Sequence, residues 1–148
     1  MNKSYWIWNY GEYEHYHYLK INSRRESFGT LHPTLWSMDS TYPLATFSKS
    51  VELDKPGHIT VYTTGKGYFR INGVTHHFGE RVELQPGKYN FNCLVYKLGG
   101  LPAIFAESDF VATDDSWLVD KKRGQALPAG YREYFDSKDK TPEEFPFS

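Results

Sequence analysis

Hydrophobic and polar positions alternate through the middle of the chain. In residues 45–53, Ala45, Phe47, Lys49, Val51 and Leu53 take one side, and Thr46, Ser48, Ser50 and Glu52 take the other. A period of two marks a strand with one face buried, because successive side chains point to opposite faces of a sheet. The same reading predicts strands at 58–63, 68–71, 74–78, 82–84 and 89–98, and short ones at 103–106 and 116–119. The core expected from it comprises Phe47, Val51, Ile59, Val61, Phe69, Ile71, Phe91, Val95 and Ile104.

Turn chemistry separates these runs: Gly65-Lys66-Gly67, Asn72-Gly73 and Gln85-Pro86-Gly87. Asn-Gly tolerates the positive φ angles of a tight type I′ turn, so it predicts a hairpin between 68–71 and 74–78. No internal repeat and no amphipathic helix is visible. Short strands at this spacing predict an all-β fold, an antiparallel β-sandwich of jelly-roll type with two sheets packed face to face.

The flanks read differently. Residues 5–18 are aromatic and polar, and Trp6 and Trp8, two apart, share one face of a strand. Residues 19–43 show no clean period and hold Arg24, Arg25, Glu26, Pro33, Trp36 and Pro43. So long an irregular stretch is expected to pack on something. Beyond Asp120 the chain turns charged, then closes on Phe145-Pro146-Phe147-Ser148. The expected division is an N-terminal strand and irregular packing segment (1–43), a sandwich core (44–120), and an extension or linker toward a further domain (121–148).

With 148 residues the chain is long enough for one domain with a sizeable core. Lys plus Arg is 17 and Asp plus Glu is 18, a balance that speaks against capture of nucleic acid or of an anionic membrane surface. The N-terminus lacks the apolar run of a secretory leader, and no stretch approaches the roughly 20 apolar residues of a membrane span. Cys93 is the single cysteine, which excludes an internal disulfide and a cysteine-based zinc site. A cytoplasmic location is therefore expected. Aromatics form 18% of the residues, with 12 Tyr, which suits faces that stack on sugars as well as a sandwich core.

Candidate chemistry is sparse. His15 and His17 would share a strand face, whereas His76 and His77 point to opposite faces. Asp109, Asp114 and Asp115 cluster near Ser108 and Thr113 but lack the regular calcium-loop spacing, and they read as a solvated turn. Glu12, Glu14 and Glu26 are carboxylates of the kind glycoside hydrolysis needs in pairs, about 5–10 Å apart across a groove. A small β-sandwich seldom builds such a groove. The sequence has no nucleophile elbow, phosphate loop or dinucleotide turn. No catalytic residue, metal or cofactor is expected.

Several pieces in order resemble a known family: Trp6-Ile7-Trp8, then Gly67-Tyr68-Phe69-Arg70-Ile71-Asn72-Gly73, Leu84-Gln85-Pro86-Gly87, Gly100-Leu101-Pro102-Ala103 and Thr113-Asp114-Asp115-Ser116-Trp117. Together they resemble the N-terminal β-sandwich region of bacterial α-L-rhamnosidases, glycoside hydrolases with an (α/α)6-barrel catalytic domain. The resemblance spans residues 6–117, and its weight lies in the order of the motifs, since each turn alone is common. It implies a non-catalytic accessory domain that braces a downstream catalytic domain of the same polypeptide, with carbohydrate as a second partner. The alternative is a stand-alone carbohydrate-binding module. In that family the catalytic acid and base come from the barrel, which 148 residues cannot hold beside a sandwich. The residues expected to contact carbohydrate or a neighbouring domain are Trp6, Trp8, Arg24, Arg25, Glu26 and Trp36. The long 11–42 segment, rich in Tyr, His and Arg, departs from the usual members of the family.

Overall fold

The structure, a computed structural model, describes residues 3–9, 44–97, 101–120 and 126–142. Ten strands account for the regular structure: β1 (Ile7–Asn9), β2 (Leu44–Leu53), β3 (Gly57–Thr63), β4 (Lys66–Ile71), β5 (Val74–His76), β6 (Arg81–Leu84), β7 (Gly87–Tyr96), β8 (Ile104–Ser108), β9 (Leu118–Asp120) and β10 (Ala126–Tyr131). No helix occurs among the described residues. Every predicted strand is present within a few residues of its expected bounds.

Hydrogen bonding links the strands in one antiparallel ladder, β5-β4-β7-β2-β9-β10-β1-β8-β3-β6. The sandwich expected from sequence, with two separate sheets, is here one sheet curled on itself. Its inward side chains show the curl: Phe47 of β2, Phe69 of β4 and Phe91 of β7 share a core with Ile59 of β3, Ile104 of β8 and Ala129 of β10. The bend falls at β10, whose edges pair with β9 on one side and β1 on the other. The two arms are thus β5-β4-β7-β2-β9 and β1-β8-β3-β6. The chain crosses between them through connectors of two to four residues at 54–56, 64–65, 77–80 and 85–86.

Local sequence explains the hairpin. Asn72 and Gly73 both have positive φ, at 49° and 83°, as a type I′ turn requires. Asn72 also tethers the turn to β7: its backbone N–H donates to the Asn90 carbonyl (3.0 Å) and its Oδ1 accepts the Asn90 N–H (2.8 Å). Gly67 lies within β4 at φ +147°, and a Cβ there would sit 1.9 Å from the Leu94 carbonyl oxygen. Only glycine allows β4 and β7 to approach so closely.

All the expected core residues are buried except Val51, which is partly exposed near the end of β2. Within the stretch expected as an extension, the described residues 126–142 pack on the rest of the domain. Strand β10 lies in the middle of the ladder, and Phe135 is buried. Residues 132–142 fold over the outer face of β1 and β8, closing a second apolar cluster of Trp6, Trp8, Leu101, Ala103, Phe105 and Phe135.

The Thr113-Asp114-Asp115-Ser116-Trp117 motif has a physical meaning in this frame. Thr113 is fully buried; its hydroxyl donates to the Tyr5 carbonyl (2.6 Å) and accepts the Ala106 N–H (3.2 Å). It therefore fastens the segment before β1 to β8. Asp114 accepts both the N–H and the hydroxyl of Ser116, turning the chain. Trp117 then enters the core, with its indole N–H on the Ala112 carbonyl (2.9 Å).

Candidate functional site

Of the residues singled out from sequence, Arg24, Arg25, Glu26 and Trp36 lie outside the described residues, as do His15, His17, Glu12 and Glu14. Trp6 and Trp8 do share a face, but each is only 1% exposed. Trp6 donates its indole N–H to the Ser137 carbonyl (2.8 Å), and Trp8 meets Phe135 edge-on at 5.9 Å. Their rings belong to the domain's own packing and offer no open stacking face. The cover is the 132–142 segment, whose role the sequence pattern does not reveal.

Of the other candidate side chains, those of His76, Asp109 and Asp114 are locally engaged. His76 Nδ1 lies 2.9 Å from Glu80, and that hydrogen bond holds the Glu80 carboxyl below its ordinary range. Asp109 accepts the His58 backbone N–H (2.9 Å), the main reason its pKa is lowered. Among the described residues no three His, Cys, Asp or Glu side chains converge as a metal site. Cys93 is fully buried, and burial pushes its thiol pKa far up, so it is no nucleophile.

Two concave regions stand out among the described residues. The first is a cleft of about 720 Å³ on the outer face of β3 and β8, walled by Lys3, Glu107, Asp136 and Lys138. Its polar groups are largely used up. The Tyr62 hydroxyl donates to Glu107 (2.9 Å), and Lys138 lies over the Tyr62 ring at 5.3 Å. Asp136 accepts from Lys3 (2.5 Å) and Lys140 (2.9 Å). Those bonds, Lys3 first, lower the Asp136 pKa to about 2.

Asp136 is thus a fixed anion near neutral pH and cannot serve as a general acid there. Because its folded pKa lies below the ordinary 3.8, its stabilising contribution is present above about pH 4. It is lost as pH falls toward 2. The melting temperature should accordingly drop over that window, and Asp136→Asn should flatten part of the drop in a pH series of thermal melts. An identical acid limb in the variant would refute the assignment.

The second region is a groove beside β2, produced by the shortness of β9. Strand β9 pairs with β2 only at Thr46, Phe47 and Ser48. Beyond Ser48, residues 49–53 of β2 have β7 as their sole strand partner among the described residues. The gap forms two adjoining basins of about 540 and 480 Å³, which share Lys49, Ser50 and Ser116. Lys49 stands on the inward row of β2, where its amine emerges to donate to the Ser116 hydroxyl (2.6 Å). Around it lie Ser48, Asn90, Asn92 and Leu118 in one basin, and Glu52 and Asp114 in the other. The Ser50 hydroxyl donates to Asn90 Oδ1 (2.6 Å). Sequence reasoning placed Ser48 and Ser50 on the outer face without seeing a site. The available signal was that this face carries hydroxyls and amides in place of the usual charges.

The curled all-β architecture is shared with carbohydrate-active proteins. A lectin from Pleurotus ostreatus in its apo form superposes with a TM-score of 0.54 at 15% identity, over 86% of this chain and 41% of that one. A lectin from Pleurotus ostreatus in complex with GalNAc gives 0.52 at 17%, over 88% and 43%. Streptomyces avermitilis alpha-L-rhamnosidase complexed with L-rhamnose gives 0.55 at 10%, over 86% of this chain and 14% of that one. The chain thus spans well under half the length of each. No curated protein matches the sequence.

The family model described as "Alpha-rhamnosidase-like, bacteroidetes, N-terminal" matches residues 45–125, more than half of the chain. The chain belongs to this family of alpha-rhamnosidase-like N-terminal domains.

Proposed function

We propose that the chain is a non-catalytic accessory domain of an α-L-rhamnosidase-like glycoside hydrolase, one that braces the catalytic domain of the same polypeptide and contacts carbohydrate. The observation that carries the reading is the family match over residues 45–125, which spans the sheet from β2 to β9. One acid of the cleft on β3 and β8 supports the non-catalytic part: Asp136 is pinned as an anion by Lys3 and Lys140. A retaining or inverting hydrolase needs one carboxyl that keeps a proton near neutral pH.

The test compares the full-length protein with a form lacking residues 1–148. Loss of the brace should lower the melting temperature of the remaining catalytic region, since interface anchors contribute about 2 kcal/mol each. The isolated chain should hydrolyse no aryl rhamnoside. Turnover by the isolated chain, or a catalytic region indifferent to its removal, would defeat the respective half of the proposal. The fold shared with two lectin structures supports a second reading, a stand-alone carbohydrate-binding module. That reading predicts an unchanged catalytic region together with glycan binding by the isolated chain.

A further inference from the structure

We infer that the two-basin groove beside β2 binds two consecutive units of an uncharged oligosaccharide. The inference rests on the carbohydrate-contacting part of the proposed function and gives it a place and a chemistry. Ser48 and Asn92 are paired across β2 and β7, and neither side chain has a hydrogen-bond partner among the described residues. Asn90 uses its Oδ1 for Ser50, and its amide nitrogen is left without a protein partner among those residues. Hydroxyls and amides offer donors and acceptors side by side, as sugar hydroxyls require. Leu118, 44% exposed on the same wall, supplies apolar surface for sugar C–H groups.

The division into two basins argues for more than one sugar unit. The Lys49–Ser116 hydrogen bond crosses between them, and the Lys49 ammonium keeps two of its three donors for oxygens at the junction. Each basin falls within the roughly 300–1,000 Å³ range of small-molecule sites. Asp114 is held by Ser116, and no three metal-type side chains converge among the described residues. Recognition here therefore proceeds by direct hydrogen bonds, from neutral hydroxyls and amides and from the Lys49 ammonium, without a bridging metal. The cleft on β3 and β8 is the weaker candidate, because its charges are spent on one another.

The test presents the full chain with immobilised mono-, di- and tetrasaccharides, neutral and uronate-containing, with and without a chelator. Neutral di- and tetrasaccharides should bind more tightly than the matching monosaccharides, and chelator should have no effect. The double variant Ser48→Ala, Asn92→Ala should bind about tenfold more weakly, the scale of losing two hydrogen bonds. Its melting temperature should hold, since neither side chain is bonded or in the core. Leu118→Ala gives an independent check from the apolar wall.

Full binding by these variants, with loss on Glu107→Gln or Lys138→Ala, would move the site to the other cleft. That outcome overturns the groove and leaves the accessory reading standing. A preference for uronates, or abolition by chelator, overturns the neutral direct recognition. If the wild-type chain binds no member of the panel, both the groove and the carbohydrate part of the proposed function fall, and the bracing part survives.

Discussion

Removing residues 126–148 should abolish the cooperative unfolding transition of the chain. The deletion takes away β10, which joins the arms through Ala129 and its neighbours to β1 and through Leu127 and its neighbours to β9. It also removes Phe135 from the outer cluster and the Ser137 carbonyl from the Trp6 indole. Emptying a buried Phe site alone costs about 3–5 kcal/mol, and each net backbone hydrogen bond adds about 1 kcal/mol. Whole domains are stable by only about 5–15 kcal/mol, so the sum is enough to unfold the chain. Thermal melts followed by near-ultraviolet circular dichroism, on the full and shortened chains, provide the measurement. A shortened chain that still melts in one sharp transition near the original temperature would show that the arms hold together without β10.

Trp6→Ala should destabilise the isolated chain by about 3–5 kcal/mol, the range for emptying a large buried aromatic site. The indole packs against Phe105 with ring centroids 5.7 Å apart and satisfies the Ser137 carbonyl, so both apolar contact and a hydrogen bond disappear. Denaturant melts should show a lower midpoint, with the loss already present in the chain by itself. A Trp that instead served a neighbouring domain would leave the isolated melt unchanged.

The fate of Trp6 shows what alternation can and cannot reveal. A period of two correctly put Trp6 and Trp8 on one face, but it could not say that Phe135, more than a hundred residues away, covers them. For β2 through β7 the pattern was nearly sufficient, because those strands bury one face and meet at turns with obligatory residues such as Asn72-Gly73. Strand β10 escaped notice for a physical reason. Its sequence Ala126-Leu127-Pro128-Ala129-Gly130-Tyr131 holds a Pro and a Gly, has no alternation, and becomes a strand only through partners on both edges. The single curled ladder was hidden for the same reason, since strand order is set by pairings far apart in sequence. The groove was half legible: the hydroxyl and amide row was visible, but the late start of β9 at Leu118, which opens the space beside it, was not.

The crossings between the arms set a limit on motion. The outermost strands of the ladder, β5 and β6, are consecutive in the chain and separated only by residues 77–80. Four linking residues span at most about 18 Å from His76 to Arg81 when fully extended. Gly79 shortens that tether further by donating its N–H to the Val61 carbonyl of β3 (2.7 Å), while Phe78 rests on Phe69 of β4 at 5.9 Å. The two rims of the sheet are laced together and cannot swing apart to admit a guest between the arms. Among the described residues, the surfaces left open to a guest are the outer faces of the sheet and the notch beside β2 where β9 is absent.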